Sequence, residues 1–231
     1  MSDMKLYNYF RSSASFRVRI ALNLKGLAFE YVPVHIARGD HKKDSYAALV
    51  ADQLVPMLEV DGQRLSQSMA IIEYLDETWP ATSVAPAAPA LLPADALGRA
   101  KVRALAQSIA CEIHPLNNLR VLKYLTRELK MEEEAKNTWY RHWVRDGLES
   151  FERQLQALAA QRLQQGQSAP VYCFGGTPGL ADCCLVPQIF NGQRFKVNFD
   201  ALPRTMAVFD ACMALDAFKK SQPSACPDFE P

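Results

Sequence analysis

Tyr9-Phe10-Arg11-Ser12-Ser13-Ala14-Ser15-Phe16-Arg17-Val18-Arg19-Ile20-Ala21-Leu22 is the stretch on which the fold turns. A short apolar strand, Lys5 to Tyr9, runs into a hydroxyl-rich turn. The turn opens an amphipathic helix over 15–25, which Gly26 closes at its C′ position. This order sets two or three serine hydroxyls at a helix N-terminus, where unpaired N–H groups and the helix dipole favour negative charge. The turn therefore reads as an anion site.

Working outward, Glu30-Tyr31-Val32-Pro33-Val34 is a second strand, and Pro33 marks it as an edge. A polar stretch over 37–44 leads to a short helix over 45–49. The runs 55–60 and 63–66 flank Asp61-Gly62, the strongest hairpin signal in the chain. Gln67-Ser68 caps a helix that continues to Thr78 with apolar Met69, Ile71, Ile72 and Leu75. The order βαβ–α–ββα is that of a thioredoxin-like domain, placed at residues 4–80. Residues 81–94, rich in proline and alanine, read as a linker. Helical patterns follow at 95–129, 132–163, 180–191 and 203–215, with an irregular tail from Ser221. The expected architecture is an α/β N-terminal thioredoxin-like domain followed by an all-α C-terminal domain over 95–231.

Composition narrows the function classes. Of 231 residues, 49% are hydrophobic and 22% charged, the balance of a soluble globular protein. A formal net charge of +1 gives no footprint for nucleic acid or for a membrane surface. No apolar run approaches the ~18–20 residues of a membrane span. The polar start, Met1-Ser2-Asp3-Met4-Lys5, moves straight into a strand and is not a signal peptide, so a cytoplasmic protein is expected. The six cysteines (111, 173, 183, 184, 212 and 226) form no C-x-x-C pair, and the adjacent Cys183-Cys184 suits neither zinc nor an ordinary disulfide. They read as buried free thiols. The four histidines are scattered, and no metal site is expected.

With these elements in place, the chain resembles a glutathione S-transferase, and within that superfamily the zeta class, which includes the maleylacetoacetate and maleylpyruvate isomerases. The zeta signature, Ser-Ser-Cys followed by an Arg-Val-Arg-Ile-Ala-Leu run, reads here Ser12-Ser13-Ala14-Ser15-Phe16-Arg17-Val18-Arg19-Ile20-Ala21-Leu22. Further matches are residues 67–75, Leu91-Leu92-Pro93, Leu185-Val186-Pro187-Gln188 and Arg194-Phe195-Lys196-Val197. The resemblance implies a glutathione S-transferase fold, glutathione as cofactor, a homodimer, and a glutathione-dependent cis–trans isomerase of a maleyl keto acid. It gives Ser12, with Ser13 nearby, the role of donating to the glutathione sulfur. Gln67 and Ser68 would hold the γ-glutamyl carboxylate, Val55 of a Val55-cis-Pro56 pair would bond the cysteinyl backbone, and Gln53 would join the same site. His114 and Asn118, four apart and read as one helix face, would contact glutathione from the helical domain. Pro115 should kink that helix.

A maleyl keto acid carries two carboxylates, so cationic anchors are expected. Arg11, Arg120 and Arg194 match arginines that bind substrate in maleylpyruvate isomerases of this class, and Arg11 is placed in the catalytic turn with Ser12 and Ser13. Arg17 and Arg19 read instead as surface or dimer contacts. Three departures stand out. Ala14 replaces the family cysteine, which leaves the glutathione sulfur as the nucleophile. Gly179 stands where the superfamily capping box has Thr or Ser, leaving Asp182 alone to complete it. Val50-Ala51-Asp52 replaces the usual Asn-Pro. Two rival readings remain at this point: a general transferase or dehalogenase for small electrophiles, and a glutathione-binding module without catalysis.

Overall fold

The computed structural model describes residues 3–80 and 89–230. Residues 81–88, most of the expected linker, lie outside them. The chain divides into two compact units, one of Met1–Leu91 with Met213–Pro231 and one of Leu92–Cys212.

The first unit is built on a four-stranded mixed sheet of order β2-β1-β3-β4. Strand β1 (Met4–Asn8) runs parallel to β2 (Glu30–Pro33) and antiparallel to β3 (Met57–Val60), which pairs antiparallel with β4 (Gln63–Ser66). The strand carrying Pro33 is an edge, where a missing N–H is tolerated. Helix α1 (Ser13–Lys25) starts at Ser12, whose hydroxyl accepts from the Ser15 N–H at 3.2 Å. It ends at Gly26, whose φ of 65° is the left-handed conformation glycine adopts without a Cβ penalty. Short helix α2 (Asp44–Ala47) and helix α3 (Ser68–Thr78) complete the expected set. Leu6, Leu58, Val18, Ile20, Leu22, Ile71, Ile72 and Leu75 are wholly buried between sheet and helices. Inside this core, Lys25 Nζ meets Asp76 Oδ1 at 2.5 Å and donates to the Trp79 carbonyl at 2.9 Å, tying the end of α1 to that of α3.

In the second unit the expected single helix over 95–129 is broken into pieces. Helix α4 (Ala96–Gln107) passes into a π-helical segment (Ser108–Ile113), then a single turn α5 (His114–Asn117) and helix α6 (Leu119–Arg127). The cause is local: Pro115 has no N–H to give the Cys111 carbonyl, and the π segment ahead of it widens the turn. Asn118 has an extended backbone (φ −73°, ψ 161°) and caps α6 through its side chain, accepting from Val121 N–H at 3.2 Å. Helix α7 (Glu133–Gln164) packs against α5, α6 and the π segment, and α8 (Leu180–Arg194) against α4. Asp182 accepts from the Gly179 and Cys173 N–H groups at 2.8 and 2.9 Å, so the box survives through its acid alone. Glu152 on α7 does the same for α9 (Pro203–Met213), accepting from the Arg204 and Thr205 N–H groups.

The tail corrects the sequence reading. Residues from Met213 cluster with the first unit, forming α10 (Asp216–Ser221), which packs on α1, and a 3-10 turn at Pro223–Ala225. Five of the six thiols are buried and Cys111 is exposed.

Candidate active site

The register of the sheet decides which loops share one end. Tyr7 pairs with Met57, and Met57 with Ser66. The serine turn after β1, Val55-Pro56 before β3 and Gln67-Ser68 after β4 therefore emerge together at that end. The first unit thus brings together Arg11, Ser12, Ser13, Gln53, Val55, Gln67 and Ser68.

Each piece is held by bonds the sequence only partly announces. The Ser12 N–H closes a turn onto the Tyr9 carbonyl at 3.0 Å. Its hydroxyl accepts from Ser15 at 3.2 Å, which leaves the one O–H of a serine to donate elsewhere. Ser13 is buried at the first turn of α1, and the wholly buried Ser15 accepts from the Tyr9 N–H at 3.5 Å. The Arg11 guanidinium lies over the Phe10 ring, 5.0 Å from its centroid.

Val55-Pro56 is a cis peptide bond. Among the described residues the backbone N–H and C=O of Val55 bond to no other group. A sheet end with an unpaired backbone pair accepts an extended peptide as an added strand. Gln67 begins α3 at a φ of 69°, a conformation rare for a side-chain-bearing residue, and its side chain does not cap the helix as the sequence suggested. Its amide instead donates to Asp52 Oδ2 at 3.2 Å. Gln53, also at positive φ, accepts from Lys42 Nζ at 2.9 Å. An α3 start without a side-chain cap from Gln67 turns the positive end of its dipole toward an anion.

Sequence reasoning missed Arg17. It is 2% exposed, with Nη1 donating to the Ser68 hydroxyl at 3.3 Å and with Nε and Nη2 unpartnered among the described residues. A buried guanidinium without an acid beside it is unfavourable unless an anion completes the pair. Arg17 follows Ser13 by four residues and shares its helix face, and that spacing was the available signal. Arg19 is also 2% exposed, and burial pulls its pKa down. It donates to Asn8 Oδ1 at 2.9 Å, to the Tyr9 and Phe10 carbonyls at 3.4 and 3.0 Å, and to the Ser221 carbonyl at 2.9 Å. Neither arginine is a surface contact.

In the second unit, His114 opens α5 and is half-buried, whereas Asn118 belongs to the start of α6. The break between those helices removes the shared face expected of the pair. Arg120 is exposed on the first turn of α6. Arg194 is exposed at the end of α8, where it donates to Asn191 Oδ1 at 3.3 Å.

The glutathione S-transferase N-terminal domain model matches residues 2–77, and the C-terminal domain model matches residues 141–192. A maleylpyruvate isomerase of a Ralstonia species is 48% identical over 225 residues, covering 97% of this chain and 99% of its own. The chain belongs to the zeta class of glutathione S-transferases. A holo structure of maleylpyruvate isomerase, described as a bacterial zeta-class enzyme, superposes with a TM-score of 0.88 at 47% identity, covering 98% of this chain and all of its own. A maleylacetoacetate isomerase from Anaeromyxobacter dehalogenans, solved with glutathione in its active site, gives a TM-score of 0.83 at 36% identity over 99% of both chains. Among the described residues no helix is long and apolar enough to cross a membrane.

Proposed function

We propose that this chain is a cytosolic, homodimeric, glutathione-dependent cis–trans isomerase of a maleyl keto acid, maleylpyruvate or maleylacetoacetate, in aromatic catabolism. The observation that carries the reading is 48% identity to a maleylpyruvate isomerase over 97% of this chain, together with a turn that keeps Ser12 and Ser13. The residues present fit glutathione. Val55 offers an unpaired backbone for a short extended peptide, α3 offers an uncapped N-terminus with Ser68 for a carboxylate, and Ser12 offers a hydroxyl donor for a sulfur.

Glutathione supplies a thiolate, whose reversible addition to the cis double bond permits rotation to trans. Ser12 donates its O–H to that sulfur at the positive end of α1, lowering the thiol pKa from about 8.5. Ser13, one residue into the helix, supports the same turn. Gln67 and Ser68 orient the γ-glutamyl carboxylate, Gln53 and Val55 fix the rest of the peptide, and His114 and Asn118 add contacts from the second unit. Arg11, Arg120 and Arg194 bind the substrate carboxylates and stabilise the negative charge that develops on its keto oxygen. Ala14 takes no part, because none of these steps needs a protein thiol.

Turnover of both maleyl keto acids, with and without glutathione, is compared for the wild type, Ser12→Ala and Arg11→Ala. The expected pattern is activity only with glutathione, sharply reduced by either substitution. Full activity in Ser12→Ala, or turnover confined to halogenated electrophiles, would overturn the proposal.

A further inference from the structure

The C-terminal segment does more than cover α1. After α10, the chain runs back along the serine turn and meets it at successive points. The Ser221 carbonyl accepts from Arg19 Nε at 2.9 Å, and its hydroxyl accepts from Asn23 at 2.7 Å. Arg19 in turn holds the Tyr9 and Phe10 carbonyls, the two residues that precede Arg11. Cys226 is buried in a cluster with Tyr9 and Phe10, with Tyr31, Ile36 and Val55 packed around it. Tyr31 donates its phenol to Asp228. The Phe229 ring stands edge-on to Phe10 at 5.7 Å and 82°, while the Arg11 guanidinium lies over that same Phe10 ring. Finally, the Glu230 carbonyl accepts from Arg11 Nη2 at 2.9 Å.

Glu230 itself is fixed through its carboxylate, which meets Arg38 at 2.5 Å and His35 at 3.5 Å. The backbone carbonyl that receives Arg11 is therefore held from the other side of the residue. A guanidinium on a flexible stem loses side-chain entropy whenever it binds a carboxylate. One that is already seated on an aromatic ring and a carbonyl has lost part of that entropy on folding.

We propose that the segment Ser221–Glu230 is a positioning element of the substrate site, which fixes the Arg11 guanidinium from outside. It rests on the reading of Arg11 as a carboxylate anchor. The segment touches no reacting atom, and its effect falls on the dicarboxylate substrate rather than on glutathione. A purely structural tail would lower stability and affect all ligands alike.

Two variants test this: deletion of residues 227–231, and the double substitution Arg38→Gln with Phe229→Ala, which loosens Glu230 without creating a new terminal carboxylate. Three quantities are read for each: KM for maleylpyruvate, Kd for glutathione, and the rate of glutathione conjugation to a neutral electrophile, 1-chloro-2,4-dinitrobenzene. The deletion is expected to raise KM roughly tenfold or more, in line with the penalty for a misplaced binding group. Glutathione affinity and conjugation stay within about threefold, and the double variant moves the same way by less. An unchanged KM overturns the proposal, as does a lowered KM, which would make the tail a competitor for Arg11. A loss shared equally by all three readouts overturns it in favour of a structural role. If the wild type turns over neither maleyl keto acid, the functional reading fails by itself. Malonate binding to the glutathione-loaded protein then decides the tail: weaker binding in both variants supports it, and equal affinity overturns it.

Discussion

Replacing Ser12 by alanine removes two interactions that can be measured apart. The first is the helix cap, because the Ser12 hydroxyl accepts from the Ser15 N–H at 3.2 Å. Loss of a serine cap to alanine destabilises by about 1 kcal/mol, whereas glycine at the same position costs only a few tenths. The second is the hydrogen bond that Ser12, in its proposed role, donates to the bound sulfur. A hydrogen bond to a charged group contributes about 1.5–3 kcal/mol, and one pKa unit corresponds to about 1.36 kcal/mol. The thiol of bound glutathione should therefore titrate about one to two units higher in Ser12→Ala. Ser12→Gly should show the same rise with much less loss of stability. The assay is the ultraviolet absorbance of the thiolate in glutathione-saturated protein, followed across pH, beside a denaturant melt of each variant. If the midpoint is the same in all three proteins, the sulfur does not rest on Ser12 and the reasoning fails.

Arg17→Met removes a buried guanidinium that donates to the Ser68 hydroxyl. Glutathione binding by calorimetry should weaken about tenfold, some 1.4 kcal/mol, with no loss of ligand-free stability; unchanged affinity would refute its part in the anion site. Lys25→Met leaves Asp76 buried without its cation, and chemical unfolding should show a loss of about 3–5 kcal/mol. Glu152 loses solvation on burial, yet bonds from Thr205, Arg204 and Gln156 together hold its pKa below the ordinary value. Its stabilising contribution is therefore complete above the unfolded pKa of about 4.3 and is lost as pH falls through the lower folded value. The stability gap between wild type and Glu152→Gln, measured by melts at stepped pH, should narrow across that acid range.

Most of the first unit was legible because its signals are local. Asp61-Gly62, Gly26 and Pro33 each dictate a backbone conformation, so the hairpin, the end of α1 and the edge strand followed from them. The serine turn was readable as the start of α1 for the same reason. What escaped depends on partners distant in sequence. Arg17 and Arg19 look like ordinary polar positions of an amphipathic helix until Ser68 and Ser221 are placed beside them. Nothing local says that a tail beginning at Met213 returns to the first unit, since its contacts with Arg11, Tyr31 and Phe10 span most of the chain. Pro115 announced a disturbed helix, but periodicity alone cannot say whether the backbone answers with a kink, a π segment or a break. Here it uses a π segment before the proline and a break after it, which separates His114 from Asn118.

A glutathione that acts as catalyst, as proposed, must leave the reaction unchanged, and its fate can be followed. Maleylpyruvate is mixed with the protein and a small fraction of an equivalent of glutathione, and both are followed by NMR. Complete conversion to the trans isomer is expected, with many turnovers per glutathione and recovery of the tripeptide unchanged. Conversion without glutathione, or a reaction that stops after one equivalent as a stable conjugate, would contradict it.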